Sequence, residues 1–72
     1  MDKASEHLAA IRRRMDEAQE FAGLVNALTY DPVDVNSVLG LVSNIQEVKL
    51  AANSALDELE EMCSFLGIRT DW

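Results

Sequence analysis

Apolar residues recur at alternating steps of three and four on both sides of a single Asp-Pro pair, and this pattern constrains the fold more than anything else in the chain. Before the pair they fall at Met1, Ala4, Leu8, Ile11, Met15, Ala18, Ala22 and Val25. Such spacing keeps one stripe of a helix facing a partner. An adjoining row, His7, Arg14, Phe21 and Leu28, broadens the stripe toward its end. A first helix is therefore expected from about residue 4 to residue 29, with Ser5 as a possible cap. After the pair, Val35, Val42, Lys49, Leu56 and Cys63 form one row of period seven. Val38, Ile45, Ala52, Leu59 and Leu66 form a second, and Leu41, Val48, Ala55 and Met62 a third. A second helix is expected from about residue 34 to residue 66.

The connection is short, about residues 30–33. Pro32, the only proline, disfavours helical geometry at Asp31. Asp31 can accept a free backbone N–H at a helix start, and Pro32 has none to leave unpaired. Asp31–Pro32 is thus the expected cap of the second helix, with Asp34 or Asn36 as alternative starts. Gly67 is placed to end that helix in the left-handed conformation, with Ile68 folding back. Residues 67–72 make a short tail. The fold class is all-α: one domain over residues 1–72, a two-helix antiparallel hairpin.

A hairpin of 72 residues has little interior, and chains this small bury a marginal share of their surface. Three apolar rows on the second helix exceed what one partner helix covers. A homodimer forming a four-helix bundle is expected. Its interface would use Val38, Val42, Ile45, Val48, Lys49, Ala52, Leu56 and Leu59. Lys49, in an otherwise apolar row, would lay its stem on the seam and send its ammonium to solvent or a carboxylate, or fix the dimer's register.

Chemistry-bearing residues are few. His7 and Cys63 are the only ones of their kinds. A fold centred on Asp31–Pro32 sets His7 opposite Leu56, roughly two turns from Cys63 by the ~1.5 Å rise per residue. A nucleophile needs a base within hydrogen-bond reach, so no catalytic residue is expected. Cys63 reads as a small buried hydrophobe. Carboxylate-rich metal sites in bundles use Glu-x-x-His, and no glutamate stands three before His7. No metal ligand set, cofactor or phosphate loop is expected. One cysteine makes no internal disulfide. No apolar run reaches the ~20 residues of a membrane span, and the first residues lack the apolar core of a secretory signal. The expected compartment is the cytoplasm.

Six Lys+Arg against thirteen Asp+Glu give a net charge of −7. Nucleic-acid binding needs a net-positive face and is not expected. Arg12, Arg13 and Arg14 fan around the helix, and Asp16 and Glu17 stand four residues after the first two, ready to pair. Acid gathers late in the chain, at Asp57, Glu58, Glu60 and Glu61. There it opposes the helix dipole, which suits solubility or a basic partner. Two regions offer partner contacts that a bundle does not need. One is the end of the second helix, with Asp57, Glu58, Glu61, Phe65 and Trp72. The other is the turn, with Tyr30 and Asp31. The expected role is a non-enzymatic binding protein, dimeric, acting on one or more other proteins. An acidic mimic of nucleic acid, blocking a DNA-binding protein, is the alternative.

Two stretches carry a resemblance: KASEHLAAI (residues 3–11) and VLGLVSNIQEVKLAANSALDEL (residues 38–59). Together they resemble an uncharacterised family of short pseudomonad helical-hairpin proteins. That family pairs an ASEHL-like first helix with a second helix ending in an NRALD-like segment. Here Asn53-Ser54-Ala55-Leu56-Asp57 stands in that place, with Ser for the usual Arg. The resemblance implies a hairpin and assigns no site. In size, acidity and shape the chain also resembles small phage proteins that disarm host regulators, the dimeric anti-quorum-sensing proteins among them. Those engage a transcription factor and a pilus-assembly ATPase. The likeness implies an inhibitor of a host transcriptional regulator.

Overall fold

The computed structural model describes residues 3–69, which form two helices, α1 (Lys3–Leu28) and α2 (Val35–Leu66), and no strand. At ~1.5 Å per residue α2 spans about 48 Å, close to the 49 Å long axis of the molecule. The helices run antiparallel. At the turn end an added Cβ on Gly40 would lie 3.2 Å from Leu28 Cδ1. At the open end His7 meets Glu58.

The turn is built by backbone bonds. Thr29 N–H bonds to Val25 O, and Tyr30 and Asp31 N–H reach back three residues to Ala27 and Leu28 O. This tightening satisfies the last carbonyls of α1. Thr29 Oγ1 adds a bond to Asn26 O at 2.6 Å. Asp31 thus belongs to the end of α1, and the cap of α2 is Asp34. Its backbone is extended (φ −140°, ψ 176°), and its Oδ1 accepts from Ser37 N–H at 2.8 Å. This corrects the expected Asp31–Pro32 cap. An N-cap side chain must sit two or three residues before the donors it serves, and the chain is still reversing at residues 32–33. The other end of α2 meets expectation. Gly67 is left-handed (φ 75°, ψ 21°). Its N–H bonds to Ser64 O and Ile68 N–H bonds to Cys63 O at 2.8 Å, the paired bonds of a Schellman closure.

The interior is made of small residues. Among the described residues only Ala18, Ala51, Ala55 and Cys63 are buried, and no large side chain is fully enclosed. On α1 the buried and half-buried positions include Ala4, His7, Ile11, Ala18, Phe21, Val25 and Leu28. The row 4/11/18/25 is used as expected. Its companion is the row of His7, Phe21 and Leu28, whereas Leu8 and Met15 are exposed. This corrects the expected seam by a rotation of one row. The apolar arc of α1 is wide enough for either choice, and Phe21 and Leu28 offer more area than Ala22. On α2 the seam is Leu41, Val48, Ala55 and Met62, with Asn44, Ala51 and Glu58 beside it. No helix among the described residues is long and apolar enough to cross a membrane.

Asp34 holds the point where the chain re-enters a helix. Asp34→Ala is expected to cost about 1 kcal/mol, read as a lower thermal midpoint with unchanged helical content. An unaltered midpoint would show that Asp34 is not the operative cap.

Candidate functional site

Three places carry side chains that the hairpin does not consume. The first is a face. Val38, Val42, Ile45 and Leu56 are 45%, 48%, 51% and 40% exposed. With Lys49 and Ala52, also exposed, and half-buried Leu59, they continue the alternation of four and three along one side of α2. The 100° step of the helix puts exposed Leu8 and Met15 of α1 on this same side of the hairpin. Val48 differs from its companions in the expected interface: it is half-buried and lies in the row that faces α1.

The second is the open end. The sequence puts Glu58 and Glu61 one helical turn apart on α2, so both project to one side. The antiparallel partner brings His7 beside them. His7 Nδ1 donates to Glu58 Oε2 at 2.8 Å, with both side chains partly buried. One ligand-type atom from each of His7, Glu58 and Glu61 lies within 4.8 Å of the others. Asp57, Glu61 and Phe65 are exposed on the same stretch of α2. Trp72, expected to join them, lies outside the described residues. The expected register set His7 opposite Leu56. The shift to Glu58 follows from the turn, because α2 begins after Asp34 and its residues are displaced relative to α1. The Glu58-x-x-Glu61 spacing was visible in the sequence, but its juxtaposition with His7 depended on that register.

The third is the turn end, where Tyr30 is 85% exposed and Asp31 is also exposed. It stands at the opposite end of the long axis from Phe65, so one hairpin does not combine the two regions into one surface. Of the arginine run, Arg14 pairs with Glu17 at 3.3 Å, one turn away and half-exposed. This replaces the expected pairs from Arg12 and Arg13. Arg14 lies in the row nearest α2, and its outward reach meets Glu17 first.

Cys63 is buried and stands five positions beyond Glu58, about 7.5 Å along the axis at ~1.5 Å per residue. The described residues enclose no cavity. No family model, curated protein or solved structure matches the chain.

Cys63→Ala is expected to lower stability by about 1 kcal/mol through lost apolar area and to leave surface contacts unchanged. A stably folded Cys63→Ala variant that loses binding to a partner would place function at the thiol.

Proposed function

We propose that the chain is a non-enzymatic protein-binding module that works as a homodimer, two hairpins packed into a four-helix bundle. The observation that carries this is the exposed seam of Val38, Val42, Ile45, Ala52 and Leu56 on α2, flanked by Leu8 and Met15. Its spacing is that of a helix-packing stripe, and α1 leaves it uncovered. The occupant proposed is a second copy of the chain, on the ground of area. A compact monomer of 8.0 kDa exposes ~4,450 Å² by the surface–mass relation. This chain exposes 5524 Å². The excess, roughly 1,000 Å², is of the order that each partner contributes to a standard interface, ~800 Å². Lys49 sits inside the stripe, where its ammonium favours an exit toward a carboxylate of the facing copy.

The dimer would present its acids outward. Residues 31–72 carry eight acidic and two basic side chains. Asp57 and Glu61, with Phe65 beside them, suit a partner with basic and apolar surface. This favours an inhibitor or modulator of another protein, such as a transcriptional regulator of a host cell, and accords with the likeness to phage anti-regulator proteins. Tyr30 and Asp31 at the turn form the second candidate contact. The acids of α2 also support the other reading, a nucleic-acid mimic seated in a DNA-binding groove. Salt separates the two: mimicry weakens steeply as ionic strength rises, whereas apolar anchoring does not.

Ile45→Asp is expected to abolish dimerisation and, with it, most of the helicity, because the lone hairpin has so little core. Circular dichroism over a concentration series reads both effects, since the thermal midpoint of the unaltered chain should rise with concentration and the variant should show little helical signal at any concentration. A fully helical Ile45→Asp variant with an unchanged midpoint would overturn the proposed interface.

A further inference from the structure

The cluster at the open end has a geometry that neither helix packing nor the proposed dimer requires. His7 comes from the first turns of α1, and Glu58 and Glu61 from successive turns of α2. Their ligand-type atoms lie within 4.8 Å of one another. A first-row divalent ion bonded at ~2.1 Å to nitrogen and oxygen holds adjacent ligands about 3 Å apart when six-coordinate and about 3.4 Å apart when four-coordinate, as zinc prefers. The 2.8 Å separation of His7 Nδ1 and Glu58 Oε2 needs only a small opening to reach either spacing. Glu61 is exposed, so its carboxylate can swing inward at little cost, and solvent can fill the remaining positions.

Electrostatics favours a cation here. The cluster lies outside the last turn of α2 and beside the start of α1, so the two helix dipoles do not decide its charge, and the neighbouring carboxylates do. Asp57 and Glu60 flank its glutamates in sequence, and the last turn of α2 contains no basic residue. The donor set is mixed, one imidazole nitrogen and two carboxylate oxygens. That mixture suits zinc-class ions more than calcium or magnesium, which prefer oxygen alone.

We infer that His7, Glu58 and Glu61 form a three-ligand site for a zinc-class divalent cation, which clips the start of α1 to the end of α2. On binding, the Nδ1 proton that the hydrogen bond uses is released to solvent or carried instead at Nε2, and the freed Nδ1 lone pair takes the ion. No electron transfer is involved. Because His7 lies 51 residues from Glu58 in sequence, the unfolded chain does not hold the ligands together, and binding adds to folding stability. This site stands on the contact between α1 and α2 within one hairpin; it rests on the proposed dimer only in that the dimer keeps the hairpin folded, and it needs no protein partner.

Calorimetric titration of the full chain with zinc chloride tests it, with cobalt(II) absorption as a second readout. One zinc per chain is expected, with a thermal midpoint that rises with zinc concentration. His7→Ala and Glu61→Gln should each weaken binding at least tenfold, since the loss of mere outer-shell partners already costs ~10–100-fold. Glu61→Gln alters an exposed side chain and keeps the fold, so it remains informative if His7→Ala does not fold. Asp57→Asn removes the same charge from the same surface and should leave binding unchanged. Binding that is absent, or that falls equally in Asp57→Asn and Glu61→Gln, would overturn the site and leave only diffuse attraction to an acidic surface. A cobalt spectrum showing thiolate charge transfer would also overturn it, by placing Cys63 among the ligands.

Discussion

The hairpin closes on small side chains, and the rest of the structure follows from that contact. Ala18, Ala51, Ala55 and Cys63 are the only buried residues among those described. Small residues let helix backbones approach closely, but they remove little apolar area from water, and the hydrophobic contribution scales with that area. Larger residues such as Phe21, Leu41 and Val48 share the seam with them and stay half-exposed. A chain of this length is marginal even with a well-filled core, and among the described residues this one fully buries none of its larger aliphatic side chains. The exposed seam on α2 is therefore the counterpart of the alanine seam within the hairpin. The proposed dimer supplies the area that the intramolecular contact lacks.

The same contact fixes what stands at each end. With α2 entered through Asp34, the antiparallel register brings His7 to Glu58 and Glu61 at the open end and leaves Tyr30 at the turn. Acid is concentrated at the open end, and an exposed aromatic stands at the other. A partner protein or a cation drawn by charge would meet the open end first, because attraction between charges extends about 8–10 Å at ordinary ionic strength. In the proposed module, then, the apolar face serves assembly and the acidic end serves recognition.

Most of the fold was legible in the sequence, because period-seven spacing, one proline and a terminal Gly67 each have a single strong structural consequence. The two helices, the left-handed closure of α2 at Gly67 and the burial of Cys63 follow from local rules. Which of three apolar rows faces the partner helix did not follow. On both helices the apolar arc was wider than one seam, and the choice lay in the fit of Phe21 and Leu28 against α2. The register was also beyond local rules. Asp31 and Asp34 are both good caps by residue type, and the backbone bonds that close α1 at Asp31 decided between them. That choice moved His7 from Leu56 to Glu58 and created the His–Glu–Glu cluster. The site was thus hidden by a turn detail, although all three of its residues were in plain view.

Sedimentation equilibrium of the unaltered chain, over a concentration range that spans the micromolar, tests the central claim most directly. The account expects a species of twice the 8.0 kDa chain mass, with helical content that falls as dilution dissociates it. A fully helical monomer of 8.0 kDa at every concentration would show that the alanine seam alone sustains the hairpin, and would contradict the account.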